Sequence, residues 1–249
     1  MSLLDATLLI ITGIIASFLN VTSGGGSLVS LPVLIFMGLP TPIANASNRL
    51  GIIGQNVFAV AGFRSKGIHA WPYSLYIAIS AFFGAIIGAK VSVDLNEALF
   101  NKVIAIIMVI VVLLTVFKPI KSTNIQIERT DKKSTLIGVF TFFFIGIYGG
   151  FIQAGVGFIM IVALTSINGF SLVKTNSAKV FVALIYTLSA VAVFIYEDVI
   201  NWQYGLTLAL GNAIGGWVAS RWSVKKGDTW IKRILIVTVS ALAIKLWFW

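Results

Sequence analysis

The sequence contains no cysteine and a single histidine, His69. Disulfides, thiolate zinc sites, iron–sulfur clusters and bis-histidine haem are thereby excluded, and no motif asks for a cofactor. Acidic residues are equally scarce, eight Asp and Glu against eighteen Lys and Arg, for a net charge of +10 over 249 residues. All eight (Asp5, Asp94, Glu97, Glu128, Asp131, Glu197, Asp198 and Asp228) fall near the termini or in polar segments between apolar runs. No carboxylate is left inside an apolar run to hold a cation or relay a proton. Charged residues make up 10% of the chain and hydrophobic ones 58%, which implies an integral membrane protein. In a soluble chain the basic balance would point to nucleic acid. Here the basic residues sit in loops between apolar spans, as the positive-inside rule requires, so the partner is the lipid bilayer. Enzyme signatures are missing too: no HExxH pair, no GxSxG elbow followed by a suitable histidine, and no GxxxxGK[ST] loop. The amino terminus, Met1 to Asp5, lacks a basic n-region, so the first apolar run is expected to stay as a helix rather than leave as a signal peptide.

What the chain has in place of acid is glycine at a telling position. Asn20-Val21-Thr22-Ser23-Gly24-Gly25-Gly26-Ser27 interrupts an apolar region, and broken backbone is tolerated at membrane depth only beside protein or a water-lined cavity. A helix restarting at about Leu28 aims its positive end into the gap, which suits an anion. Close helix packing is the competing explanation for the glycines. Spanning lengths of roughly 20 residues give helices over Leu3 to Val21, Ile43 to Phe63, Trp71 to Val91 and Ala98 to Phe117. A short piece from Leu28 to Met37 can cross only half the bilayer. The polar stretch Lys118 to Lys133 reads as a basic cytoplasmic linker.

After the linker the chain repeats. A shift of 131 residues places Gly38 on Gly169, Asn45 on Asn176, Phe63 on Phe194, Trp71 on Trp202, Gly84 on Gly215 and Phe117 on Phe248. Gly13, Phe18 and Gly24 match Gly146, Phe151 and Gly157 at a shift of 133, which makes Gln153 to Gly157 a second, shorter break. Twelve of the eighteen basic residues lie in the Arg64/Lys66 loop, the linker and the Arg221 to Arg233 segment. The repeat of the Arg64/Lys66 loop is instead acidic, Glu197/Asp198. Equivalent loops on opposite sides make the two parts inverted-topology repeats. The expected fold is therefore an all-α integral membrane protein of two inverted repeats, residues 1–117 and 134–249, joined by the linker at 118–133. Each repeat has a broken or re-entrant helix pair plus three further transmembrane helices, and both termini are extracytoplasmic.

Six basic residues lie outside these loops, and three of them draw attention: Arg49, Lys174 and Lys179. Arg49 lies roughly 22 Å from the Arg64 interface by helical rise, inside a core about 30 Å thick, and needs a partner unless it snorkels to the other surface. Amides gather near it: Asn20, Asn45, Asn48, Gln55 and Asn56, with Gln153 and Asn176 after the linker. In hydrocarbon each needs a hydrogen-bond partner, so they should line an interhelical cavity unless they only glue helices together. The candidate substrate-binding set is Asn20, Ser23, Gly24, Gly25, Gly26, Asn45, Asn48, Arg49, Gln153, Gly155, Gly157, Asn176, Ser177 and Lys179. Arg49 and Lys179 would supply charge, Asn45 and Asn176 hydrogen bonds, and the broken backbones amide donors. No metal site is expected.

The stretches Gly24 to Pro32, Gly38-Leu39-Pro40, Ala44 to Ser47, Ala154 to Phe158, Leu172 to Lys179 and Gly211 to Trp217 resemble the sulfite exporter TauE/SafE-like family, also called toluenesulfonate uptake permeases. The resemblance covers essentially the whole chain. It departs at Thr22-Ser23, where family members often have another glycine, and in the abbreviated second break. What it implies is transport of a small sulfur-containing anion, such as a sulfonate, sulfite or thiosulfate, across a prokaryotic cytoplasmic (inner) membrane. A carrier of carboxylates or other small anions is the nearest alternative. A non-transporting membrane anchor that docks a partner enzyme on the linker is a different one. Monomer and homo-oligomer fit the sequence equally.

Overall fold

A computed structural model describes residues 1–96, 98–100, 102, 103 and 128–248, all helices and connections with no strand among the described residues. The helices are α1 (Leu3–Thr22), α2 (Ser27–Phe36), α3 (Thr41–Arg64), α4 (Tyr73–Asp94), α5 (Lys132–Phe151), α6 (Val156–Asn168), α7 (Leu172–Tyr196) and α8 (Trp202–Phe248). Most of the expected helix Ala98 to Phe117, and of the linker after it, lies outside the described residues. The linker's last residues, Lys132 and Lys133, belong to the first turn of α5, which Asp131 caps by accepting from the Lys133 and Ser134 amides. Four helices, α1, α4, α5 and α7, are long and apolar enough to cross a bilayer. The pieces α2 and α6, at 10 and 13 residues, reach only about 15 and 20 Å at the helical rise, short of the roughly 30 Å hydrocarbon core.

Chain order and packing order differ. α1 packs most extensively on α8, and α5 on α4; α3 lies against α8 and α7, and α4 also against α7. The contacts come in matched pairs. Gly84 on α4 sits against the Phe143 carbonyl of α5, and Gly215 on α8 against the Ile14 carbonyl of α1, each too close for a side chain. Ser80 Oγ donates to the Val139 carbonyl at 2.6 Å, and Gly211 abuts the Ile10 carbonyl. Ser17 Oγ donates to the Asn212 carbonyl at 2.8 Å, and Gly146 abuts the Ala81 carbonyl. In all three pairs α4 maps on α8 by 131 residues, as the sequence repeat has it, but α1 maps on α5 by 129 rather than 133. Four residues are about one helical turn, so the matching glycines keep the right face and misplace the height.

Polar residues of α3 lie on its buried side: Asn45, Asn48, Arg49, Gln55 and Asn56 are all at most 2% exposed. Spacings of three, four and seven residues put them on adjoining strips of one helix, as a helix facing protein rather than lipid requires. Trp71 and Trp202, by contrast, are about half exposed, in keeping with interfacial positions.

A candidate anion cavity between two helix breaks

Each break leaves two kinds of unpaired backbone, the last carbonyls of one helix and the first amides of the next. At the first break α1 ends on Ser23, whose amide returns to the Leu19 carbonyl at 2.8 Å, and the Gly24 amide goes to the same oxygen at 3.1 Å. Leu28 and Val29 donate to Gly25 and Gly26, which occupies the early amides of α2. Gly24 has φ +95°, a conformation reserved for glycine. A methyl group there would enter the backbone of Gly157, and one at Gly157 would enter Gly24. The two breaks therefore touch each other, backbone to backbone.

The remaining carbonyls face cations. Arg49 is fully buried and donates through Nη1 to the Gly149 carbonyl at 2.5 Å and to Gln153 Oε1, and through Nη2 to the Gly150 carbonyl at 3.0 Å. Asn45 Nδ2 donates to the next carbonyl, Phe151, at 3.0 Å, and to Ser92 Oγ. Lys179, 3% exposed, donates through Nζ to the Asn20 and Val21 carbonyls at 2.9 and 3.0 Å. Asn176 Nδ2 donates to the next, Thr22, at 3.0 Å. The two arrangements mirror each other: α3 holds the end of α5 and α7 holds the end of α1, with the accepting carbonyls 129 residues apart, Asn45 and Asn176 131 apart, and Arg49 and Lys179 130 apart. A cation at a helix carboxyl terminus answers the negative end of its dipole as well as its free carbonyls. Neither cation snorkels. Lys174 does reach the surface, paired with Glu128 at 2.5 Å.

A polar cavity adjoins the breaks, lined by Asn20, Gln55, Asn56, Gln153, Lys179 and Tyr186 among others. Its volume is about 10 Å³, room for one water at most. Asn20 Nδ2 donates to Gln55 Oε1 at 3.1 Å, and Gln55 Nε2 to Asn56 Oδ1 at 3.0 Å. That chain ends on Asn56 Nδ2, a buried donor with no partner. An ammonium has three N–H donors and the carbonyls take two from Lys179, so a third remains beside the cavity it lines. Gln153 holds φ +62°, which is uncommon for a residue with a side chain. Strain of this kind persists where the surroundings impose it, here the contact with Arg49.

Of the residues singled out in the sequence, Asn20, Gln153, Gly157 and Lys179 meet at the cavity. Asn45, Arg49 and Asn176 sit on helix ends with their bonds directed at carbonyls. Ser23, Gly24, Gly25 and Gly26 form the first turn, and Gly155, φ +74°, caps α6. Asn48 is buried with Oδ1 unpartnered. Ser177 donates to the Ile68 carbonyl and faces a larger opening near Arg64 and His69, of about 470 Å³. Gln55 and Asn56, named among the amides near Arg49 but outside the candidate substrate-binding set, also line the cavity. The signal for Asn56 was its place two turns beyond Arg49.

The family model for the sulfite exporter TauE/SafE family matches residues 9–246. This chain belongs to that family. Curated relatives in it include a "Probable membrane transporter protein" of Haemophilus influenzae, 26% identical over 92% of this chain and 89% of the relative. The "Probable membrane transporter protein ORF9" of a Sinorhizobium species is 24% identical over 96% and 90%. The "Probable membrane transporter protein YfcA" of Escherichia coli K12 is 23% identical over 96% and 88%. No solved structure matches. Membership of the family and the apolar helices together make this a multi-pass membrane protein.

Proposed function

We propose that this chain is a secondary transporter of a small sulfur-containing anion, a sulfonate, sulfite or thiosulfate, working by alternating access across a prokaryotic inner membrane. The observation that carries this reading is the cavity itself: a lysine and an unpartnered amide donor converge there, and no carboxylate among the described residues lines it. A sulfonate spreads one negative charge over three acceptor oxygens, which convergent N–H donors satisfy. The names of the relatives support transport in general, and that of the family supports the sulfur chemistry.

The matched contacts and the reciprocal holding of helix ends support two inverted repeats, residues 1–117 and 134–249, and the basic loops favour both termini outside. At its present volume the cavity is too small for such an anion, so a substrate fits only when the breaks separate. Lys179 then exchanges a carbonyl for the anion, while Arg49, outside the cavity lining, keeps α5 in place. This assigns the substrate charge chiefly to Lys179.

Thermal stabilisation of the purified protein by a panel of sulfonates, sulfite, thiosulfate, sulfate and matched carboxylates tests the reading. At 100 times its dissociation constant a ligand stabilises by about 2.7 kcal/mol, or roughly 5–11 °C for a chain of this size. The sulfur anions should give that shift in the native protein, and Lys179→Gln and Asn56→Leu should lose it while remaining folded. No shift with any anion in a folded sample refutes the site and favours the anchoring role. A shift with carboxylates alone replaces the substrate class.

A further inference from the structure

A dense run of positive charge that the cavity does not use lies along α8: Arg221, Lys225, Lys226, Lys232 and Arg233. Asp228, the carboxylate within that stretch, is engaged elsewhere, accepting from the Leu172 and Val173 amides at 2.8 and 2.9 Å. The one ion pair among the described residues is Lys174 with Glu128, so these five cations have no carboxylate partner among the described residues. Gly227, at φ +72° and ψ −176°, turns the helix through a conformation open almost solely to glycine. Lys226, just before that turn, and Arg233, three residues after Trp230, both lie over the ring of Trp230, at 5.3 and 4.9 Å. Trp230 in turn packs edge-on against Trp222 at 6.4 Å, and Trp222 against Phe18 of α1 at 5.4 Å.

Beside this cluster runs an open groove of about 620 Å³ between α1 and the second limb of α8. Phe18, Leu19, Trp230, Ile234 and Val237 line it, with Arg233 as its charged member. Indoles carrying cations mark the headgroup level of a bilayer, and the groove leads from there along apolar side chains. We infer that this groove is a binding site for an anionic phospholipid, whose headgroup phosphate lies among Lys226, Arg233 and their basic neighbours and whose acyl chain fills the groove. Charge complementarity selects the occupant, since basic pockets of this kind between membrane helices hold anionic headgroups. A soluble anion would leave the apolar groove unfilled, and a zwitterionic lipid would leave the cations unmatched.

Native mass spectrometry of the delipidated full-length protein tests this. It is incubated with phosphatidylglycerol, with phosphatidylcholine of the same chains, or with glycerol phosphate. Phosphatidylglycerol should be retained at least about tenfold better than phosphatidylcholine, and glycerol phosphate should not displace it. The double change Lys226→Gln with Arg233→Gln should bring the two lipids to parity. Ile234→Trp, which fills the groove and keeps every charge, should lower retention of phosphatidylglycerol, whereas Lys66→Gln in another basic loop should leave it unchanged. Equal retention of both lipids by the native protein overturns the site. So does undiminished selectivity in the double variant, and displacement by glycerol phosphate reduces it to a phosphate site.

Discussion

Replacing Arg49 by Ala deletes the donor to three close acceptors, the Gly149 and Gly150 carbonyls and Gln153 Oε1, besides a long contact to Asn45 Oδ1 at 3.5 Å. Hydrogen bonds inside membrane proteins average about 0.6 kcal/mol, which sets a floor of about 2 kcal/mol for the three. Buried acceptors left without partners cost about 1–3 kcal/mol each, which sets a ceiling near 9. The truth lies toward the floor, because the same substitution removes a desolvated cation that has no carboxylate beside it. About 2 kcal/mol corresponds to a loss of roughly 4–8 °C in Tm for a chain of this length. Arg49→Lys keeps the charge but replaces a planar fork with a single point donor, so it should recover only part of the loss. The assay is thermal unfolding in detergent, read alongside the anion-induced shift. Arg49→Ala should fall in Tm yet keep a measurable shift, the reverse of Lys179→Gln. An Arg49→Ala protein within about 1 °C of the native one refutes the idea that this guanidinium secures the end of α5. Full recovery by lysine would mean that charge, not the three bonds, is what the site requires.

Gly24→Ala should be more damaging than Gly157→Ala. Both put a methyl into the opposing backbone, but Gly24 also holds φ +95°, where a side chain costs about 1–2 kcal/mol more; comparable Tm losses in the two variants would argue against the strain at Gly24. The Asp131 carboxylate, which caps α5, is held below the ordinary carboxylate range chiefly by the hydrogen bond from Ser134 Oγ, at 2.6 Å. A depressed folded value contributes stability above the unfolded value, about 3.9, that is lost as pH falls through the folded one. Tm of the native protein should therefore decline below about pH 4 more than that of Asp131→Asn, and parallel curves would remove Asp131 from the acid response.

Much of this architecture is legible in the residues because the membrane restricts the options. Ser27–Phe36 is short, apolar and preceded by three glycines, and a helix of that length has no stable place at membrane depth except beside other protein. Arg49 and Lys179 are conspicuous as cations inside apolar runs. What the sequence does not disclose is which backbone they serve. The glycine breaks draw attention to amides and to the positive end of the following helix. Yet a break creates free carbonyls in equal measure, and these are what the guanidinium and ammonium meet. Their acceptors lie 100 and 158 or more residues away, beyond the reach of any local pattern. The offset error has a similar origin. A helix shows nearly the same face after four residues, so glycines chosen for packing align as well one turn out of place. Asn56 lay in plain view among the amides of α3. Its importance depends on Gln55 using its oxygen and leaving its nitrogen bare, which only the assembled cavity reveals.

The pairing of α1 with α8 and of α5 with α4 also bears on how the protein is made. A chain emerging from the ribosome delivers α1 into the bilayer long before α8 exists, and the carbonyls at its end wait for a lysine on α7. Until then α1 presents Gly13 and Ser17, surfaces shaped for α8, to lipid or to whatever insertion factor is at hand. A nascent chain halted after α4 holds neither partner, nor does it hold the ammonium that closes its first break. Such a fragment should be degraded faster than the whole chain in the membrane, as a pulse-chase measurement would show. Supplying residues 97–249 as a separate polypeptide should rescue it, because each piece carries what the other lacks.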